Sequence, residues 1–206
     1  MKIEKFVLGS FGTNCYLIIN EETKELVVVD PATCPDYVLG HVKTEGYRPV
    51  GIFITHGHFD HVMGIEKWVK EYDIPVYLHE EEQKILADPA FNLSSMFGPS
   101  YAYKETTTLS DGENLSLAGF TWKVIHTPGH TLGGCCYYCE EESVLISGDT
   151  LFYQSVGRSD FPTGSMSTLV KSIREKLFCL PDDTMVYPGH GQYTCIADEK
   201  QYNPFI

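Results

Sequence analysis

The run Thr55-His56-Gly57-His58-Phe59-Asp60-His61 places three imidazoles and one carboxylate within six positions. It follows the apolar segment 50–54, which predicts a buried strand that ends at the cluster. Because His56 and His58 are two residues apart, their side chains face the same way while the chain is extended, and Gly57 lets the backbone bend. This pair can chelate one ion. Asp60 and His61 are adjacent, so they can reach a second ion only if the chain turns, which a helix beginning near His61 would provide.

Three further polar residues also follow predicted strands in glycine-rich turns. They are His130 after Pro128-Gly129, Asp149 after Gly148, and His190 after Pro188-Gly189. A single histidine is more often a hydrogen-bonded polar group than a ligand, but a cluster of three would repel itself when protonated unless it binds a metal. A borderline divalent metal prefers imidazole and carboxylate ligands, and catalysis requires one position left for water. The pattern therefore predicts a catalytic metal site on strand ends.

The apolar periodicity alternates between strand-like and helix-like segments along the chain. Strands are predicted at Thr13–Asn20, Glu25–Asp30, Val50–Thr55, Pro75–His79, Phe120–His126, Gly134–Cys139, Ser143–Ser147 and Thr184–Tyr187. Helices are predicted at Pro35–Gly46, Ile65–Tyr72, Glu80–Ala87 and Met166–Leu177, with Ser165 as an N-cap and Phe91–Tyr103 as a loop. With 43% apolar residues, the chain can fill a large core. We expect one α/β (α+β) domain over residues 1–206, with two sheets face to face and helices outside.

The motif THGHFDH, followed in order by His130, Asp149 and His190, resembles the metallo-β-lactamase superfamily. That resemblance implies a four-layer αββα sandwich. The segments 148–152, 156–162 and 189–199 are similar to the glyoxalase II (hydroxyacylglutathione hydrolase) branch, in its short bacterial form without the C-terminal helical domain. The resemblance implies a first metal held by His56, His58 and His130, a second held by Asp60, His61 and His190, and Asp149 as the bridge between them.

The same resemblance implies a metal-dependent hydrolase that cleaves a thioester such as S-lactoylglutathione or a related hydroxyacyl thioester. Two divalent ions, most simply zinc although iron or manganese suits the same ligands, would lower the pKa of water from ~15.7 toward ~7. The hydroxide so formed would attack the carbonyl, and Asp60 would orient it or accept its proton. A thiolate leaving group, with a pKa near ~8.5, needs little protonation, which suits a site with no further general acid.

Two alternative activities remain open at this stage. Persulfide dioxygenases of the same superfamily are similar in the HxHxDH run and in a Gly-Arg-x-Asp-Phe segment, here Gly157–Phe161. They use a single iron held by two histidines and one aspartate, and both ligand sets are present in this chain. Hydrolysis of a lactone or another ester is a further alternative. A non-catalytic binding module is disfavoured because no ligand position is lost.

Substrate recognition is predicted from two segments. Glyoxalase II proper continues into a helical domain that supplies much of its glutathione contact, whereas this chain resembles the catalytic domain alone. We therefore expect recognition from Phe91–Tyr103 and from the segment around Arg158. Arg158 is one of only three arginines and lies nine positions after Asp149, so it either binds a substrate carboxylate or pairs with Asp160.

Other chemically suggestive residues are predicted to be structural. Cys136 and Cys139 form a CxxC pattern on a strand, where residues three apart point to opposite faces and cannot share an ion. The glutamate runs 80–82 and 140–142 are expected to be solvated surface. Three histidines lack partners at ligand spacing: His41, His79 and His126.

Charge and composition limit the partners. Lysine plus arginine total 15 against 28 aspartate plus glutamate, and a net charge of −13 repels phosphate backbones, so no nucleic acid is expected. No apolar run approaches the ~20 residues of a membrane span, and no signal-peptide core is present. Seven cysteines, an odd number, are expected to be buried apolar residues in a reducing cytoplasm. We expect a small-molecule substrate, an anionic thioester, no membrane partner, and a surface compatible with a homo-oligomer.

Overall fold

The computed structural model describes residues 1–206 as fourteen β-strands and seven α-helices, with one 3-10 turn and one π-helical turn. The strands are β1 (Lys2–Leu8), β2 (Thr13–Ile19), β3 (Glu25–Val29), β4 (Arg48–Phe53), β5 (Val76–His79), β6 (Thr107–Leu109), β7 (Asn114–Leu117), β8 (Phe120–His126), β9 (Cys135–Cys139), β10 (Val144–Gly148), β11 (Leu151–Phe152), β12 (Ser155–Val156), β13 (Met185–Pro188) and β14 (Thr194–Cys195). The helices are α1 (Asp36–Glu45), α2 (Phe59–Val62), α3 (Ile65–Tyr72), the 3-10 turn Glu80–Glu82, α4 (Gln83–Leu86), α5 (Ser94–Phe97), α6 (Met166–Ser172), the π-helical turn Ile173–Leu177 and α7 (Ile196–Tyr202). None of these helices combines the length and apolarity needed to cross a membrane.

The strands form two six-stranded sheets and one short hairpin, β11-β12. In the first sheet, β1, β2 and β3 are antiparallel, whereas β3, β4, β5 and β6 are parallel. The second sheet has the order β14-β13-β10-β9-β8-β7 and is antiparallel except where β10 pairs with β13. It follows that β8, β10 and β13 run in the same direction, so their carboxyl ends lie at one edge of this sheet.

Three hydrophobic clusters separate four layers of structure. Successive residues of β2 face opposite sides of the first sheet, so Leu17 packs with α1 and α3, whereas Ile18 packs between the two sheets. The cluster between the sheets contains Phe53 and Trp122, whose ring centroids lie 5.6 Å apart. The third cluster joins the second sheet to Leu169 of α6. The order helix, sheet, sheet, helix confirms the predicted αββα sandwich, and burial on both faces explains the unbroken apolar runs of β2 and β3.

The sequence signals for helix ends are also confirmed. Gly46 adopts a left-handed conformation with φ +69° and ends α1, where its backbone N–H donates to the carbonyls of Lys43 and Val42. The side chain of Ser165 accepts a hydrogen bond from the backbone N–H of Thr168 and so caps α6. Helix α3 has the predicted bounds.

Several segments differ from the predictions. Lys2–Leu8 forms strand β1 at the edge of the first sheet, where the mixture of exposed and half-exposed side chains hides the period-two pattern. The predicted loop Phe91–Tyr103 contains the single-turn helix α5, and the C-terminal tail forms α7. The predicted helix Glu80–Ala87 consists of the 3-10 turn followed by α4.

The cysteines follow the prediction only in part. Five of the seven are buried, but Cys179 is exposed because it follows the last helical turn on the solvent side, and Cys195 is half-buried. All seven are free thiols. Cys136 and Cys139 lie in different hydrophobic clusters on opposite faces of β9, so the CxxC pattern does not form an ion site, as predicted.

Candidate metal centre

The predicted ligands lie at the carboxyl ends of strands from both sheets. The first sheet supplies the histidine run that follows β4, and the last two members of that run lie on α2. The second sheet supplies one residue after each of three strands: His130 after β8, Asp149 after β10 and His190 after β13. Helix α2 begins at Phe59, two residues before the start predicted at His61, and its turn brings Asp60 and His61 round to the second group of ligands.

The first group of donor atoms comes from His56, His58 and His130, all of which are buried. His130 Nε2 lies 3.2 Å from His56 Nε2 and 2.9 Å from His58 Nδ1. In a tetrahedral zinc site with Zn–N distances of about 2.0–2.1 Å, donor atoms lie about 3.3–3.4 Å apart. Both separations are therefore those of ligands around one ion, contracted by a few tenths of an ångström.

The second group comes from Asp60, His61 and His190. His61 Nε2 lies 3.3 Å from His190 Nε2 and 3.6 Å from Asp60 Oδ2, and His190 Nε2 lies 3.4 Å from the same carboxylate oxygen. These separations match the edges of a tetrahedron around a second ion. The mixed imidazole and carboxylate donors suit zinc, iron or manganese.

Asp149 lies between the two groups. Its Oδ2 is 3.5 Å from His130 Nε2 and 3.6 Å from His190 Nε2, while its Oδ1 is 3.6 Å from His61 Nε2. Asp149 Oδ1 is buried and has no hydrogen-bond partner, which is costly for a carboxylate unless a cation is bound there. A Cβ at Gly189 would overlap Asp149 Oδ1 and His61 Cε1, so the backbone can pass this point only as glycine. The donor set and this unpartnered oxygen fit a pair of divalent ions that share one carboxylate.

The histidines of the first group are in the neutral form that can bind a cation. Burial and the neighbouring imidazoles lower the pKa of His56 and His58 well below the usual histidine value. Burial also lowers the pKa of His130, although Asp149 opposes the effect. These three imidazoles are therefore neutral near pH 7 and present lone pairs.

In the second group, protonated histidine balances the negative charge of the carboxylates. Burial favours neutral His61, but Asp60, Asp149 and Asp30 outweigh burial and raise its pKa to about 10. Burial would likewise raise the pKa of Asp60, but His61 and the hydrogen bond with His190 hold it below the usual range. A divalent ion would replace the protons on the imidazoles, so binding releases protons and weakens as the pH falls.

Asp30, at the end of β3, orients His61 and was missed by the sequence analysis. Its Oδ2 accepts from His61 Nδ1 at 2.9 Å and from Thr55 Oγ1 at 2.7 Å, and its Oδ1 accepts from the Thr55 backbone N–H at 2.9 Å. The bond to Nδ1 leaves the lone pair of His61 on Nε2, the atom that faces Asp60. Although Asp30 is close enough to His56 and His61 to form a third candidate group, its oxygens are occupied by these donors. The one signal in the sequence was a carboxylate ending an apolar strand.

Two other hydrogen bonds, from residues distant in the sequence, position candidate ligands. Thr13 Oγ1 donates to Asp60 Oδ2 at 2.8 Å. His130 Nδ1 bonds to the backbone carbonyl of Arg158 at 2.6 Å, which fixes the ring so that Nε2 faces the other donors.

Glu82 is not solvated surface, so the prediction for this residue is wrong. Its side chain is fully buried, and it accepts hydrogen bonds from the backbone N–H of Gly57 at 2.7 Å, from Thr131 Oγ1 at 2.8 Å and from the backbone N–H of Gly133 at 2.9 Å. Burial raises its pKa to about 7 even though these three donors lower it. Glu82 thus ties the loop between His56 and His58 to the loop after His130, whereas its neighbours Glu80 and Glu81 are exposed as predicted.

Arg158 lies at the edge of a cavity of about 190 Å³ above the two groups. Its Nε and Nη2 each bond to a carboxylate oxygen of Asp160 at 2.7 Å, and its guanidinium lies 3.9 Å from the ring centroid of Phe161. The residue therefore borders the site and also pairs with Asp160.

Three other histidines lie outside both donor groups. His41 bonds to Glu4 at 2.6 Å, and His79 stacks on His126 with ring centroids 3.9 Å apart and planes within 7°. These contacts agree with the structural roles predicted for them.

The chain belongs to the metallo-beta-lactamase superfamily, whose family model matches residues 8–190. Two curated relatives match it from end to end. The probable metallo-hydrolase YqgX of Bacillus subtilis is 36% identical over 208 residues, covering 100% of this chain and 98% of the relative. Hydroxyacylglutathione hydrolase GloC of Haemophilus influenzae is 33% identical over 214 residues, covering 100% and 98%.

Crystal structures support the same assignment of fold. BLEG-1, a B3 metallo-beta-lactamase, superposes with a TM-score of 0.94 at 39% identity over 99% of each chain. TTHA1623 in a di-iron-bound form superposes with a TM-score of 0.86 at 34% identity, covering 98% of this chain and 100% of its own. ETHE1 from Myxococcus xanthus gives a TM-score of 0.80 at 29% identity, covering 99% and 84%. The predicted metallo-β-lactamase fold is confirmed.

Proposed function

We propose that this protein is a metal-dependent hydrolase that cleaves a thioester, such as S-lactoylglutathione or a related hydroxyacyl thioester. The observation that carries the proposal is the position of Asp149 between two complete donor groups, with its oxygens 3.5–3.6 Å from His130, His190 and His61. In this proposal His56, His58 and His130 hold one divalent ion. Asp60, His61 and His190 would hold the other, and Asp149 would supply a carboxylate oxygen next to each group.

The bound ions, zinc by expectation, would supply a low-pKa water nucleophile and polarise the carbonyl oxygen. The chain's own residues would orient this water and line the cavity. Asp60 is fixed by Thr13 and by His190, so its carboxylate can orient the attacking water and accept its hydrogen bond. Phe59 and Phe161 border the cavity and place apolar surface beside the donor groups. No further acid is needed, because a thiolate with a pKa near ~8.5 leaves without a proton.

The relatives support a hydrolase. The Bacillus subtilis relative is named a probable metallo-hydrolase and the Haemophilus influenzae relative a hydroxyacylglutathione hydrolase, each matched over the whole chain. The test is metal content by mass spectrometry on the purified protein, paired with hydrolysis of S-lactoylglutathione. We expect two metals per chain and release of glutathione. Two bound metals without hydrolysis of any thioester would refute the proposed reaction.

A persulfide dioxygenase activity is the second candidate, favoured by the likeness to ETHE1 from Myxococcus xanthus. Such an enzyme would use one iron and two histidines with one aspartate, a set that this centre also contains. One iron per chain, together with oxygen uptake on glutathione persulfide and no thioester hydrolysis, would favour this candidate and overturn the hydrolase.

A further inference from the structure

Four phenylalanines form a continuous aromatic wall beside the candidate metal centre. Phe11 meets Phe59 at 5.1 Å and Phe97 at 5.9 Å between ring centroids, and Phe97 lies 6.3 Å from Phe161. Phe161 in turn lies 5.9 Å from the ring of His58. The four rings come from separate parts of the chain: the turn after β1, α2, α5 and the loop after β12. We call these four residues the aromatic wall.

The aromatic wall leaves apolar surface exposed at the mouth of the cavity. Phe59 is only 7% exposed, whereas Phe11 is 50% and Phe97 is 46% exposed. A second cavity of about 160 Å³ lies against the same three rings and is lined also by Leu8 and Met63. Exposed rings next to buried polar donors are typical of a small-molecule site in which apolar contacts hold the part of the ligand that does not react.

The cavity has no unpaired lysine or arginine. Arg158 is the one lysine or arginine that lines it, and its guanidinium is bonded to both oxygens of Asp160 and stacked on Phe161. Asp160 already balances the charge of this guanidinium, which weakens its attraction for a substrate carboxylate remote from the metal centre. The cavity over the donor groups, about 190 Å³, is also smaller than the roughly 300–1,000 Å³ of sites for drug-sized ligands.

From the aromatic wall and the paired arginine we infer that the substrate carries a short apolar group, aromatic or branched, next to the scissile carbonyl. The inference rests on the proposed function and specifies its substrate class. In the reaction, the oxygen of water bonds to the carbonyl carbon and the C–S bond breaks with its electron pair on sulfur. A carboxylate and a thiolate leave, and the water's protons pass to the thiolate or to solvent.

Hydrolysis of matched thioesters tests the preference. The substrates are the phenylacetyl and lactoyl thioesters of N-acetylcysteamine, which share one leaving group and differ only in the acyl chain. We expect kcat/KM to be at least about tenfold higher for the phenylacetyl ester, because a single apolar group in an apolar pocket is worth about 10–200-fold. The ratio should fall toward one in Phe97→Ala and remain higher in Phe97→Leu. Tyr37→Ala, an exposed aromatic on α1, is the control that should leave the ratio unchanged.

A binding measurement separates this inference from the proposed reaction. Calorimetric titration of the zinc-loaded protein with phenylacetate and with lactate compares the two acyl groups without catalysis. We expect phenylacetate to bind at least about tenfold more tightly, and we expect Phe97→Ala to remove the difference. Preferential binding without thioester hydrolysis would refute the reaction and leave the inference standing. Equal affinities, or a preference that Phe97→Ala leaves intact, would overturn the inference.

Discussion

The exchange Asp30→Asn should weaken binding of one metal ion while leaving the fold in place. It replaces a carboxylate oxygen with an NH2 group in a site where all three neighbouring groups donate: the backbone N–H and Oγ1 of Thr55, and Nδ1 of His61. With the amide oxygen in the Oδ2 position, the bonds to His61 and Thr55 Oγ1 remain, but NH2 faces the Thr55 N–H. With the amide oxygen in the Oδ1 position, NH2 can donate to His61 Nδ1 only if that nitrogen carries no proton, so that the proton of the neutral ring is on Nε2.

Each orientation is unfavourable for a different reason. The first leaves one buried backbone donor unsatisfied, at about 1–3 kcal/mol. The second avoids that cost in the metal-free protein, but it occupies Nε2 of His61, the atom that faces Asp60 and His190. A metal ion must therefore force the protein back to the first orientation. Loss of an orienting partner of this kind weakens metal binding by about 10–100-fold, which is about 1.4–2.7 kcal/mol.

The assay is a zinc titration of the metal-free protein near pH 7 in competition with a chelator of known affinity. The binding step that disappears in His190→Ala identifies the second donor group. We expect Asp30→Asn to weaken that step 10–100-fold and to change the other step much less. Asp36→Asn, an exposed carboxylate on α1, is the matched control. An unchanged second step, or equal weakening of both steps, would refute the reasoning.

Three further variants test other parts of the structure. His58→Ala removes one donor of the first group, so thioester hydrolysis should be lost with an unchanged circular dichroism spectrum, and retained turnover would contradict the site. Glu82→Ala leaves the N–H groups of Gly57 and Gly133 without their acceptor. The free energy of unfolding in urea should fall by about 2–4 kcal/mol, and a loss no larger than in Glu81→Ala would count against this role. Burial and His126 lower the pKa of His79 from 6.5 to about 4, so the folded state binds fewer protons and stability is lost as the pH falls from about 6.5 toward 4. Between pH 7 and pH 5 the loss in free energy of unfolding should be about 1 kcal/mol smaller in His79→Asn than in the unmodified protein. This value allows for screening by solvent near the half-exposed His126. Equal losses in both proteins would exclude the effect.

The candidate donor groups could be predicted because their signal is local. Three histidines and one aspartate within residues 56–61 are recognisable without knowing which strands are neighbours. The same holds for helices such as α3, whose apolar face recurs with the period of one element. The glycine-rich turns after predicted strands then indicated three further candidate ligands: His130, Asp149 and His190.

The supporting residues could not be predicted because their partners are distant in the sequence. Asp30 bonds to His61 across 31 residues, and Glu82 bonds to Gly57 and Gly133 across 25 and 51. In the sequence, Glu82 looks like its exposed neighbours, since three consecutive glutamates most often face solvent. Its burial depends on the approach of the loop after β8, where even a Cβ at Gly133 would overlap the backbone of Glu82. Phe11 and Phe59 were missed for the same reason, since each ring alone has the signature of a core residue.

The candidate metal centre takes its donors from both sheets, and this has a consequence for the synthesis of the protein. When the ribosome has completed the first sheet, the chain contains four of the seven candidate ligands, and neither donor group is complete. The first group waits for His130 and the second for His190, whose turn is held by a backbone hydrogen bond of 2.7 Å from Asn14 of β2 to Gly189. If each donor group binds one ion, the second ion can bind only after nearly the whole chain has been synthesised, and a nascent chain arrested before His190 would hold at most one ion. Binding of the second ion would thus indicate that the first and last thirds of the chain have packed together.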